Sequence, residues 1–84
     1  MHPGAIVWRV PTTDDLKQRI ESALPGARVQ VQDLTGGGDH FRAEVVSDRF
    51  TGLSRIEQHK IVYGVFGDEV GAAIHALSIK TSTP

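Results

Sequence analysis

The chain has 84 residues, nine lysines and arginines against ten acids, and no cysteine. This length holds one domain, which buries about two-thirds of its unfolded surface and sits at modest stability, ~5 kcal/mol. Disulfide staples are excluded, a net charge of −1 gives no field that pulls the chain onto DNA or anionic lipid, and no apolar run approaches the ~18 residues of a membrane span.

Residues 1–11 read as a flexible tail: Pro3-Gly4 and Pro11 bracket Ala5 to Val10, which includes Trp8, the only tryptophan. No basic n-region or small-residue cleavage site is legible there, so a cytoplasmic protein is the expectation. The domain proper is then residues 12–84.

From Thr13 a helix is expected, with Thr13 as its cap and Asp14 and Asp15 in the first turn, where carboxylates favour the dipole. Leu16, Ile20, Ala23 and Leu24 repeat at helical spacing, Lys17, Arg19 and Glu21 face water, and Pro25-Gly26 ends the run. The period then changes to two. Val29 and Val31 alternate with Arg28, Gln30 and Gln32, and after "TGGGD" Phe41, Ala43 and Val45 alternate with Arg42 and Glu44. Two strands joined by a short glycine-rich loop make a hairpin.

Thr51-Gly52 marks a turn, and Ser54 with Glu57 forms a capping box at the start of the next helix. Gly64 and Gly67 weaken that helix, which predicts two short helices meeting near "YGVFG", the second with an apolar stripe of Phe66, Val70 and Ala73. In "IHALSIKT" the side chains of His75, Leu77 and Ile79 share one side of a last strand. The order αββααβ predicts an α+β domain. A right-handed helical crossover returns the third strand parallel to the second, giving a three-stranded mixed sheet with helices on one face.

Four constellations carry candidate chemistry. The run Gly36-Gly37-Gly38 is a hairpin turn and not a phosphate loop, because a strand and not a helix N-terminus follows it. Gly64 to Gly67 has the G-x-x-G form of the backbone clamp between two helices in KH nucleic-acid domains, and αββααβ matches their type II arrangement. Yet Val65 and Phe66 stand where a clamp wants small or basic side chains, and Phe66 reads better as core. Arg42, Arg49, Arg55 and Lys60 form the best basic patch for DNA or RNA, but Glu44, Asp48 and Glu57 are interleaved, as on a solvated face. The pairs Asp14-Asp15 and Asp68-Glu69 sit where helix starts want negative charge, and no nucleophile elbow or H-E-x-x-H helix is present. An enzyme is not expected.

The fourth is a pair of histidines. His40 opens the second strand and His75 the last, so parallel pairing places them at one sheet end, about 5 Å apart across the strands. Two neutral imidazoles there can ligate a metal. Strict alternation aims the two rings at opposite faces, and only the position of His40 at the loop end relaxes that. The structural alternative is a satisfied His75 and a turn residue His40.

The stretch "DHFRAEVVSDRFTGLSRIEQHKIVYG" followed by "IHALSIKT" resembles the BolA family, through the runs F-x-G-x-S-R-[IV] and H-A-[LV]-[SA]-[IL]. The likeness spans about residues 13 to 83. It implies the αββααβ fold related to type II KH domains, and a protein that is monomeric alone and pairs with a monothiol glutaredoxin. The heterodimer shares a [2Fe–2S] cluster, with glutathione supplied from the partner side. The ligand histidine implied is His75. A second ligand, cysteine or histidine, comes from the loop between the first two strands, where His40 is the nearest histidine. In some members that ligand lies a few positions earlier, where this chain has Gly36 to Gly38. A cluster needs four ligands, so the thiolates must come from the partner, and imidazole ligation raises the potential as in Rieske centres and makes binding sensitive to acid. The resemblance also implies an alternative, a nucleic-acid-binding transcriptional regulator of stress response and cell morphology.

Overall fold

The computed structural model describes residues 11–72, 74 and 76–84. The reading of residues 1–10 as a tail, and the places assigned to Ala73 and His75, lie outside them.

Helix α1 spans Thr13–Ala23. Its cap is Thr12, one residue before the expected Thr13, and the reason is a capping box. The Asp15 amide donates to Thr12 Oγ1 at 3.1 Å, and the Thr12 amide donates to Asp15 Oδ2 at 3.1 Å. Leu16, Ile20 and Leu24 are buried as the spacing predicts, whereas Ala23 is exposed. Arg19 was expected in water and is instead held by the second half of the chain.

Strands β1 (Arg28–Asp33) and β2 (His40–Val46) pair antiparallel, and β3 (Ala76–Ser82) pairs parallel to β2, in the order β1-β2-β3. Alternation sorts the sheet cleanly. Val29, Phe41, Ala43, Val45 and Leu77 are buried on the helix-covered face, while Arg28, Gln30, Arg42, Ser78 and Lys80 are exposed on the other. The mixed sheet with helices on one face is therefore as expected. After β2 the chain makes a 3-10 turn, Asp48–Phe50, capped by the Ser47 hydroxyl, which accepts from the Arg49 amide at 3.1 Å. That turn drives Phe50 fully into the core.

The second half departs from the αββααβ expectation. Helix α2 runs unbroken over Arg55–Phe66, through Gly64, and only a single 3-10 turn, Gly67–Glu69, follows it. The Ser54–Glu57 capping box is present as predicted. Glycine at a helix-interior position costs about 1 kcal/mol against alanine. Burial of Val62 and Phe66 on the same helix exceeds that, since each such side chain is worth about 1.5–3 kcal/mol. Gly67, at φ 56, ends the helix. The chain then folds tightly about Glu69, whose carbonyl accepts from the amides of Ala72 at 3.0 Å and Ile74 at 2.8 Å. Among the described residues no further helix follows before β3, and Ile74 enters the core.

Candidate functional site

The parallel pairing of β2 and β3 builds one end of the sheet from the residues singled out in the sequence. His40 is in register with Ala76, the residue that follows His75 in the chain. The Ala76 amide donates to the Asp39 carbonyl at 2.9 Å, and the His40 carbonyl accepts from the Leu34 amide at 2.8 Å. Both hydrogen bonds fix the backbone on either side of His40. Its side chain is exposed, while the next residue, Phe41, is buried. His40 thus lies on the open face or rim, as its parity requires.

The glycine loop that precedes His40 is organised around its own anion. One Asp33 carboxylate oxygen accepts from the amides of Thr35 at 3.3 Å and Gly36 at 2.9 Å, and the other accepts from Gly38 at 2.9 Å. Gly36 and Gly38 both take φ 77, which side chains with a Cβ rarely adopt. These amides point inward to a carboxylate, which agrees with a turn and leaves them turned away from phosphate. The hairpin turn expected from the glycines is thus pinned by the side chain that precedes them. Aspartate ahead of glycines was the legible signal, since short acidic side chains cap turns this way.

The candidate nucleic-acid residues are dispersed. Arg42 lies on the open sheet face, Arg49 in the 3-10 turn, and Arg55 and Lys60 on α2, all exposed. Gly64 is helical and Gly67 is the C-cap of the same helix, so "GVFG" is not a turn between two helices. Phe66 is core, as its residue type suggests. His59 meets Tyr63 edge-on with ring centroids 6.5 Å apart. Among the described residues no group of three or more His, Asp or Glu is placed to hold a metal ion, and no helix is long and apolar enough to cross a membrane.

Two interactions had no sequence signal because their partners are far apart in the chain. Arg19 on α1 donates to both carboxylate oxygens of Glu69, to Oε1 at 2.7 Å, and to the Val65 carbonyl at 3.3 Å, with its guanidinium 4.9 Å from the Phe66 ring centroid. The Arg19 hydrogen bond holds the Glu69 carboxyl below its ordinary value, against a weaker opposing effect of desolvation. The Tyr63 hydroxyl donates to the Leu77 carbonyl at 2.8 Å, tying α2 to β3.

Comparison with known proteins identifies the architecture. The BolA-like protein family profile matches residues 16–84. The chain belongs to the BolA family. Human BolA-like protein 1 is 33% identical to this BolA domain over 81 residues, which cover 88% of this chain and 59% of the human protein. The chain thus spans about three-fifths of that relative's length. The protein named DNA-binding transcriptional regulator BolA of Escherichia coli K12 is 38% identical over 75 residues, covering 81% of this chain and 71% of that protein. Among solved structures, a BolA homologue from Coxiella burnetii superposes with a TM-score of 0.74 at 40% identity, covering 88% of this chain and 92% of that one.

Proposed function

We propose that this BolA domain is a non-enzymatic adaptor that pairs with a monothiol glutaredoxin and shares a [2Fe–2S] cluster with it, in cluster trafficking or in iron and redox regulation. The observation that carries the reading is the register of β2 and β3, which brings the residue after His75 alongside His40. The donor set fits half a site. The chain has no thiol, and His40 is exposed at the strand mouth. His75 and His40 would hold one side through neutral ring nitrogens, leaving thiolates to the glutaredoxin and its glutathione. When bound, the cluster supplies a one-electron redox centre that the imidazoles hold at raised potential. The chain's own contribution would be to offer ring nitrogens from His40, which opens β2, and from His75, which precedes β3 in the chain. The test is to mix the protein with cluster-loaded glutaredoxin and to record visible absorption and circular dichroism. A changed spectrum that His75→Ala abolishes and His40→Ala weakens is expected. An unchanged spectrum, or one indifferent to His75→Ala, sinks the proposal.

A second reading is DNA binding, supported by the name of the Escherichia coli relative and by the exposed Arg42, Arg49, Arg55 and Lys60. It predicts salt-dependent binding to duplex DNA that Arg49→Ala or Lys60→Ala weakens. Absence of binding at low salt ends it.

A further inference from the structure

The hydrogen-bond phase of the sheet leaves one row of backbone groups facing outward. The Ala76 amide donates to Asp39 and the Ser82 carbonyl accepts from Ser47, so even-numbered residues of β3 turn their backbone groups toward β2. The odd-numbered Leu77, Ile79 and Thr81 therefore turn theirs to the free side, where no other described strand pairs. The Tyr63 hydroxyl bonded to the Leu77 carbonyl is independent evidence for that phase, and it occupies one of these outward groups.

Next to it a groove of about 290 Å³ opens between α2 and β3, lined by Arg55, His59, Ile79, Lys80 and Thr81. No acid lines it. Glu57, on α2, is turned back to the Ser54 amide at 2.9 Å. The one ion pair among the described residues is Arg19–Glu69, so Arg55 and Lys80 have no carboxylate within ion-pair reach. Natural sheets blunt free edges with charge, proline or bulges, and β3 has only Lys80 for that purpose.

We propose that this edge is a docking site for an acidic, extended peptide segment of a partner protein, added as a fourth strand to the free side of β3. A peptide strand repeats a donor and an acceptor every second residue, matching the outward amide and carbonyl groups of Ile79 and Thr81. Arg55 and Lys80 select carboxylate side chains along it. A phosphodiester chain can meet the two cations but offers no donor for the carbonyls. The site lies toward the far end of β3 from His40, and it rests on neither reading of the preceding subsection.

The experiment is an amide NMR titration of the full chain with three probes: the blocked octapeptides (Glu-Val)4 and (Lys-Val)4, and octathymidylate. The acidic peptide is expected to shift the Ile79 and Thr81 amides and protect them from exchange. Arg55→Glu or Lys80→Glu weakens it about tenfold. Thr81→Pro abolishes it, because proline there removes an outward donor and no ladder bond. Should Thr81→Pro fail to fold, Lys80→Glu, at an exposed position, decides. The proposal is overturned if the basic peptide binds equally well. It is likewise overturned if octathymidylate protects the same amides more strongly than the acidic peptide, or if no probe alters Ile79 and Thr81.

Discussion

Glu69 receives both terminal nitrogens of Arg19, a residue 50 positions earlier, while its own carbonyl gathers the amides of Ala72 and Ile74. One residue thereby joins α1 to the segment that leads into β3. Its side chain and that of Arg19 are 43% and 40% exposed, so solvent screens the pair. Arg19→Ala is expected to cost about 1 kcal/mol, pair and ring contact together, as read by urea denaturation. Amide exchange should quicken at Ala72 and Ile74 more than in β1.

The same pair sets a pH dependence. The Glu69 carboxyl is lowered from an ordinary value of 4.5, first by the Arg19 hydrogen bond. A depressed carboxylate contributes stability that is present above its unfolded value and lost as pH falls through the folded one. Denaturation midpoints followed downward from pH 6 should therefore fall more in the natural chain below about pH 4.5 than in Glu69→Gln. Parallel curves would refute this.

The two glycines near the end of α2 are expected to respond with opposite signs. Gly64 is helical with open space where a Cβ would stand, so Gly64→Ala stabilises by about 0.5–1 kcal/mol. Gly67 has equal space but φ 56, and Gly67→Ala destabilises by about 1 kcal/mol. Thermal or chemical denaturation of the two variants reads the difference directly. Two helices meeting at a turn would have placed both glycines in turn conformations.

Asp33→Ala removes the acceptor for three loop amides. A loss of about 1–2 kcal/mol is expected, with Gly36 and Gly38 becoming the fastest-exchanging amides of the hairpin. Asp33→Asn keeps one accepting oxygen and should recover part of the protection. If Gly38 exchange is the same in all three proteins, the carboxylate does not organise the loop.

At the start of α1, Thr12→Ala should cost about 1 kcal/mol, whereas Thr13→Ala, inside the first turn, should be neutral or slightly stabilising, since alanine is the better helix former. Equal losses would move the cap back to Thr13.

These contrasts also mark what the sequence could disclose. Period-two alternation in β1 and β2, and the crossover rule, were enough to place β3 parallel to β2, with Ala76 in register with His40. Local patterns speak for themselves in that way. Gly64 misled because propensity is a weak, local bias, and the burial of Val62 and Phe66 outweighs it. Arg19 misled because spacing reports which face of a helix a residue occupies, not what arrives opposite that face. The partner's half of the proposed site is silent for a simpler reason: a ligand that another protein would supply leaves no trace in this chain.

The position of β2 between its two neighbours has a consequence in time. The antiparallel neighbour, β1, has already been made when Val46 emerges from synthesis, and a hairpin closes quickly because its loop is short. The parallel neighbour follows only after all of α2. Through that interval the backbone groups of Phe41, Ala43 and Val45 that later serve β3 have only water to bond. The nascent chain therefore carries an open β2 edge, and it is during translation, not afterwards, that this domain is most exposed to pairing with the wrong strand.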